Sequence, residues 1–209
     1  DIDSNDCLYI GMKDGVVRYD TQNDKVEMVS PLVARALIFD KNDHLLIFGD
    51  EVGYYILSRQ CYNKISNTDG QNIDNAYAAC FGGRTVFIGT SDGLIYQRDD
   101  RGYISLLTST TYPNIVSMVC KGDKLYVLTE EQGLHILNKD SGKEIECHDF
   151  FNINNRHMPA KSILVDQYNL IWISTQRGIY LIDRRTQTYS LLNGNHGKTD
   201  PLKTIKRDQ

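Results

Sequence analysis

The feature that most constrains this chain is a unit that recurs along it. An apolar triplet, a short polar turn ending in glycine and a second apolar-aromatic run appear five times. The copies are Leu8-Tyr9-Ile10 to Gly15, Leu46-Ile47-Phe48 to Gly53, Val86-Phe87-Ile88 to Gly93, Leu125-Tyr126-Val127 to Gly133, and Ile171-Trp172-Ile173 to Gly178. The glycines lie 38, 40, 40 and 45 residues apart, so 209 residues hold about five periods. A period of this length suits either a four-stranded propeller blade or a two-helix solenoid repeat. The apolar runs are short, rich in Val, Ile, Tyr and Phe, and bounded by turn clusters, as strands are. No stretch sustains the i, i+3, i+4, i+7 spacing of a helix without a glycine interrupting it. The helical solenoid is excluded.

The third repeat reads most clearly. Asn75–Phe81, Thr85–Gly89, Leu94–Arg98 and Tyr103–Leu107 form four short strands, joined by Gly82-Gly83-Arg84, Ser91-Asp92-Gly93 and Asp99-Asp100-Arg101-Gly102. That is one antiparallel meander. The glycine suits a tight hairpin because it adopts positive φ at no steric cost. Pro31, Pro113, Pro159 and Pro201 each precede the residue that opens a first strand, namely Ala36, Ser117, Ser162 and Thr204. Proline cannot donate to a ladder, so this phase is the crossing from one blade to the next. The predicted fold is an all-β propeller of about five four-stranded antiparallel blades. Residues 1–209 are read as one region with approximate blades 1–30, 31–68, 69–109, 110–152 and 153–195. Residues 196–209 start the next blade or close the ring. Asp3 aligns with Asp166 in the turn before the second strand, so the first blade lacks most of its innermost strand.

Several function classes fall away on composition. Lys and Arg total 23 against 27 Asp and Glu, for a net charge of −4. That is not the clustered cation footprint of a nucleic-acid binder. No apolar run approaches the length of a membrane span, so no membrane contact is expected of this segment. The opening residues Asp1–Asp6 carry neither the basic nor the apolar region of a signal peptide. Hydrophobic residues at 41% suffice to build a core. The five cysteines, at 7, 61, 80, 120 and 147, have no CxxC spacing and an odd count. They are read as free thiols packed as small hydrophobes.

Ile171-Trp172-Ile173-Ser174-Thr175-Gln176-Arg177-Gly178-Ile179-Tyr180-Leu181-Ile182-Asp183, preceded by Ser162-Ile163-Leu164-Val165-Asp166, resembles the two-component regulator propeller repeat. That family's pattern is a strand ending in Asp, an "L-W-I-G-T" strand, a Gly-Leu turn and an aromatic-Asp strand. Val86 to Leu94 is similarly close, and Leu8-Tyr9-Ile10-Gly11 to Gly15 followed by Tyr19-Asp20 also fits. Repeat two departs, with Phe48-Gly49-Asp50-Glu51-Val52 in place of the signature Gly-Thr. Repeat four has Leu128-Thr129 there and one extra turn residue. The resemblance implies the periplasmic sensor region of a hybrid two-component histidine kinase, an arc of a larger seven-bladed ring that answers to polysaccharide fragments. It also implies a homodimer through the full-length sensor.

Chemical motifs are few. Gly89-Thr90-Ser91-Asp92-Gly93 matches the G-x-S-x-G nucleophile elbow, but the repeat itself produces the match at a strand-to-strand turn. Asp1-Ile2-Asp3-Ser4-Asn5 imitates the start of a calcium loop, yet Asp6 and Met12 replace the required Gly and Glu. The five histidines form no i, i+4 pair. Catalysis, a metal and a cofactor are therefore not expected. Trp172, in phase with Tyr9, Ile47, Phe87 and Tyr126, is read as blade packing. Binding is expected at the face holding the blade crossings and the second-to-third strand turns. Tyr77 and Tyr112 suit stacking on a sugar face. Asn154 and His157, in the polar run Asn152–His157, suit hydroxyl recognition, and Arg35, Arg156, Lys161 and Arg177 suit acidic groups on an oligosaccharide. A protein-interaction scaffold is the first alternative, marked by a broad apolar patch instead of a polar concavity. A propeller lyase or glycosidase is the second. It needs converging carboxylates that Ala34–Ile38, Asn75–Ala79, Ile115–Val119 and Ala160–Leu164 do not supply.

Overall fold

The computed structural model describes residues 1–39, 44–49, 52–56, 61–64, 73–149, 159–175, 178–185 and 188–192. Among these the chain is all-β: every regular element is a strand, and no helix occurs. The strands form five antiparallel sheets, each built from consecutive strands in chain order. The chain divides into two compact units, Asp1–Pro113 and Asn114–Gln209.

The first unit holds three sheets. β1 (Cys7–Met12), β2 (Gly15–Asp20) and β3 (Lys25–Ser30) form a three-stranded sheet. Where a fourth, innermost strand would lie, Ile2 bridges Leu8. The expected loss of that strand is what the register shows. β4 (Ala36–Phe39), β5 (His44–Phe48), β6 (Val52–Ile56) and β7 (Cys61–Lys64) form the second sheet. β8 (Ala76–Gly82), β9 (Thr85–Thr90), β10 (Leu94–Arg98) and β11 (Ile104–Ser109) form the third. Its four strands lie within two residues of the sequence reading.

β5 explains why the sheets stack. Leu45, Leu46, Ile47 and Phe48 are all buried, although adjacent strand residues point to opposite faces. Leu45 and Ile47 pack with Cys7, Tyr9 and Val16 of the first sheet. Leu46 and Phe48 pack with Ala76, Val86, Ile88 and Ile104 of the third. A strand covered on both faces loses its alternation, and each such side chain contributes about 1.5–3 kcal/mol on burial. The second repeat also departs at its turn. Phe48 sits opposite Val52, and Gly53 pairs with Ile47 one step inside the strand. The glycine expected to form this hairpin therefore lies in the ladder.

The second unit holds two sheets. β12 (Ile115–Lys121), β13 (Lys124–Thr129), β14 (Leu134–Asn138) and β15 (Glu144–His148) form one. β16 (Ala160–Val165), β17 (Ile171–Thr175), β18 (Gly178–Asp183) and β19 (Thr188–Leu192) form the other. Tyr126, Leu128, Leu134 and Ile136 meet Ile163, Ile171, Ile173, Tyr180 and Ile182 in one core. In this unit the first strands begin where the inward-facing runs Ile115–Val119 and Ala160–Leu164 begin, two residues before the positions that the proline spacing predicts. β12 starts at Ile115 instead of Ser117 and β16 at Ala160 instead of Ser162, and each carries a register shift over its first residues. A bulge absorbs the extra residue near the proline. Pro201 and residues 196–209 lie outside the described residues.

Candidate functional site

Two kinds of polar turn recur along the chain, and the second of them, between a second and a third strand, lies among the segments expected to carry binding. In the first, an aspartate organises the backbone ahead of a strand. Asp3 Oδ1 accepts hydrogen bonds from the Asn5 and Cys7 amides, both at 2.9 Å, and its Oδ2 accepts one from the Tyr9 hydroxyl at 3.2 Å. Asp166 repeats this. Its Oδ1 takes the Tyr168 and Leu170 amides at 2.9 Å, and its Oδ2 takes the Trp172 indole N–H at 2.9 Å. The fourth residue of each turn has left-handed φ, 59° at Asp6 and 64° at Asn169. Asn and Asp tolerate that region because their short side chains bond locally. The Trp172 N–H, ahead of the other donors, holds the Asp166 carboxyl below the ordinary carboxylate range. Burial, reinforced by the Asp3 charge, pushes the Tyr9 phenol up.

Asp3 is buried and commits both carboxylate oxygens to its own turn and to Tyr9. Beside it lies a shallow cavity of about 370 Å³ with Ser4, Asn5, Asp6, Arg18, Asp20 and Gln22 on its walls. Arg18 there donates to Glu27 at 3.0 Å and to the Cys7 sulfur at 2.9 Å. Among the described residues no group of three His, Cys, Asp or Glu side chains is placed to hold a metal.

In the second kind of turn a threonine closes the hairpin between a second and a third strand. Thr90 Oγ1 accepts the Leu94 amide and contacts Asp92. Thr129 Oγ1 donates to the Gly133 carbonyl at 3.1 Å and accepts the Gln132 amide at 3.0 Å. Thr175 Oγ1 donates to the Gly178 carbonyl at 2.9 Å. The fourth repeat, which departs from the Gly-Thr signature by residue type, thus keeps the threonine's role. Gly178 has φ 142° and Gly133 φ 98°, values that side chains rarely adopt.

Sheet entrances are tied to these hairpins. Asn75 and Asn114, at φ 54° and 58°, give their carbonyls to the Ser91 and Glu130 amides at 2.9 Å. The Ala76 amide reaches Gly49 O at 2.9 Å, and the Ala160 amide reaches Glu130 O at 3.2 Å. Ser91 therefore sits in a braced strand-to-strand turn, not in the strand-to-helix turn a nucleophile elbow requires.

Within the first unit, exposed Arg35 lies over the half-buried Tyr77 ring, its guanidinium carbon 5.2 Å from the centroid. Tyr112 is only 8% exposed, so its ring is withdrawn from solvent instead of offering a stacking platform. Within the second unit, Lys161 pairs with Glu130 at 3.1 Å. Glu130 is a partner the sequence reading did not single out; its one signal is the extra residue in that turn. Asn154, Arg156, His157 and Arg177 lie outside the described residues.

A polar network missed from sequence lies between the two sheets of the second unit. Arg184, after β18, donates through Nε to Glu146 Oε2 of β15 at 3.1 Å and also through a terminal nitrogen. Glu146 Oε1 stands 2.7 Å from the buried His148 ring. Burial pushes the Glu146 carboxyl up, but Arg184 and His148 together outweigh it and hold the group below its ordinary value.

No family model matches the chain, and no curated protein matches it either. Similarity to solved structures is extensive. The chain resembles the extracellular domain of BT4673 from B. thetaiotaomicron, described as a hybrid two component system. The TM-score is 0.74 at 17% identity, over 93% of this chain and 27% of that one. A second structure of that extracellular domain, described as a one component system, aligns with TM-score 0.73 at 16% identity, over 94% of this chain and 31% of that one. A chain of the mitotic checkpoint complex aligns with TM-score 0.71 at 10% identity, over 93% of this chain and 62% of that one. At these identities the likeness is one of fold, and this chain spans under a third of the BT4673 domain.

Proposed function

We propose that this chain is an arc of a larger β-propeller in the extracytoplasmic, periplasmic sensor region of a hybrid two-component system. In this reading it binds or relays, without catalysis and without a cofactor or metal, and a histidine kinase elsewhere in the full protein carries the output. The observation that carries the reading is the recurring antiparallel meander, aligned over 93% of the chain with the extracellular domain of BT4673. The sequence resemblance to two-component regulator propeller repeats points the same way. A ligand biases such a sensor only through unequal affinity for its two signalling states. The proposed ligand is an oligosaccharide with acidic groups, met in the first unit by Arg35 beside Tyr77, and dimerisation runs through the full-length sensor.

The test is the complete reading frame. A membrane span followed by a histidine-kinase module supports the reading, and a frame that supplies neither overturns it. A scaffold for protein partners is the second reading. It is favoured by the exposed apolar side chains Ile10, Val26 and Met28 on the first sheet.

A further inference from the structure

The cysteines do not share one environment. Cys7 is buried, whereas Cys80, Cys120 and Cys147 are half-buried. Cys147 lies on β15, the outermost strand of its sheet, and its register partner on β14 is His135. Residues directly opposite on one face have Cβ atoms about 4.5–5.5 Å apart. His135 is 6% exposed, and its Nδ1 lies 2.8 Å from Glu144 Oε2. Glu144 pairs with Leu137, two residues on from His135, past the register shift that leaves Ile145 over. Cys147, His135 and Glu144 therefore share one face of the β14–β15 ladder.

The rest of that face carries no charge by register. Val127 and Met118 continue the row from His135, and Leu137, Leu125 and Cys120 continue the row from Glu144. Glu146 and His148, the sequence neighbours of Cys147, alternate to the opposite face, where Glu146 meets Arg184. A thiol, an imidazole and a carboxylate thus follow one another on an otherwise uncharged face of a single sheet. An ionised carboxylate only accepts hydrogen bonds, so Nδ1 of His135 is the donor nitrogen and Nε2 the basic one. Once that base has taken a proton, Glu144 balances the imidazolium, and the imidazolium stabilises a thiolate beside it.

We propose that Cys147 is a reactive thiol toward hydroperoxides, with His135 as its base and Glu144 as the residue that positions that base. His135 takes the thiol proton, and the thiolate sulfur attacks one peroxide oxygen. An S–O bond forms as the O–O bond breaks, and the proton passes to the departing oxygen. The sulfur is oxidised to a sulfenic acid, and the peroxide is reduced to water or an alcohol. The other cysteine of the second unit, Cys120, lies three strands away, about 14 Å at ladder spacing, which is beyond disulfide reach. The product is therefore a sulfenic acid on the outer strand of its sheet. All three residues belong to one hairpin, and the inference does not rest on the sensor reading.

The test is peptide mapping by mass spectrometry on the native 209-residue chain. Brief exposure to iodoacetamide across a pH series reads each thiol's reactivity, and hydrogen peroxide followed by dimedone traps the sulfenic acid. Cys147 is expected to alkylate about tenfold faster than Cys120, whose thiol burial pushes up, and to carry the dimedone adduct. Glu144→Gln is expected to slow Cys147 about threefold or more and to move its rate profile to higher pH, with Cys120 unchanged. His135→Gln is expected to remove the advantage over Cys120 altogether. Unchanged Trp172 emission confirms folding, and Glu144 is exposed, so its variant decides the question even where the buried His135 does not tolerate replacement. A Cys147 no faster than Cys120 overturns the proposal. So does a missing dimedone adduct at Cys147, or a rate profile that Glu144→Gln leaves in place.

Discussion

Gly133→Ala is the most informative single perturbation, because two separate penalties meet at that position. Its φ of 98° strains any side chain, and a Cβ there would lie 2.2 Å from the His148 carbonyl oxygen. His148 is the β15 partner of Leu134, so its carbonyl cannot retreat without opening the ladder. Left-handed backbone costs a non-glycine residue about 1–2 kcal/mol, and overpacking against fixed neighbours adds about 1–3 kcal/mol. Gly122→Ala is the control. Gly122 has φ 63°, and a Cβ there meets nothing within 4 Å, so only the first penalty applies. Both substitutions stiffen the unfolded chain alike, so their difference reports the clash together with the extra strain of φ 98° over φ 63°, expected at about 2 kcal/mol in all. The single tryptophan, Trp172, lies in the same unit and reports unfolding in a denaturant titration. A shift of midpoint at constant slope measures the loss. If the two variants differ by less than about 0.5 kcal/mol, the hairpin relaxes freely and the close approach is not a determinant of stability.

Thr129→Val removes a buried hydroxyl that bonds both Gly133 O and the Gln132 amide. A loss of about 1–2 kcal/mol is expected, largely restored by Thr129→Ser, and a neutral Thr129→Val would show the hydroxyl is dispensable. Arg35 and Tyr77 should couple by about 0.5–1 kcal/mol in a double-mutant cycle of Arg35→Ala with Tyr77→Leu, as exposed cation–π pairs do; zero coupling refutes the stack. Glu146 is held below its ordinary value of 4.5 in the folded chain. Its contribution is therefore full above that value and fades as pH falls through the lower folded one, since the unfolded chain takes up its proton first. Glu146→Gln should flatten the acid limb of stability against pH, and an unchanged limb assigns the acid response to other groups.

The fold was legible wherever turn chemistry and alternation coincide. In the third repeat Asp99 and Gly93 punctuate runs whose ends match β8–β11 closely. The alignment of Asp3 with Asp166 was legible too, because an aspartate that organises a turn leaves a fixed spacing to the aromatic it bonds. The second repeat was not. β5 is covered on both faces, so its pattern carries no phase, and Gly53, expected in the turn, pairs with Ile47 inside the ladder. Register there is decided by the sheets on either side.

The candidate binding residues were less legible, for a reason of distance along the chain. Lys161 meets Glu130 across 31 residues, and Arg184 meets Glu146 across 38. Such pairings follow from how one sheet stacks on its neighbour, which single-strand periodicity does not encode. Tyr112 illustrates the same gap: its type suits stacking on a ligand, but the braced segment Thr110–Tyr112 withdraws it, with Thr110 Oγ1 bonded to Gly93 O at 2.7 Å.

The repeat conserves physical roles instead of residue types. The left-handed position of the aspartate-led turn is filled by Asp6, Asn169 and, in the outer hairpin after β10, Gly102, three residues that accept positive φ for different reasons. In that outer hairpin Asp99 takes the Arg101 and Tyr103 amides as Asp3 and Asp166 take theirs. The donor to the second carboxylate oxygen is a phenol at Tyr9 and an indole at Trp172. When each role admits several side chains, identity falls while geometry persists. Within this chain the repeats themselves show it: Tyr9 and Trp172 differ in type yet bond the matching aspartate in the matching turn.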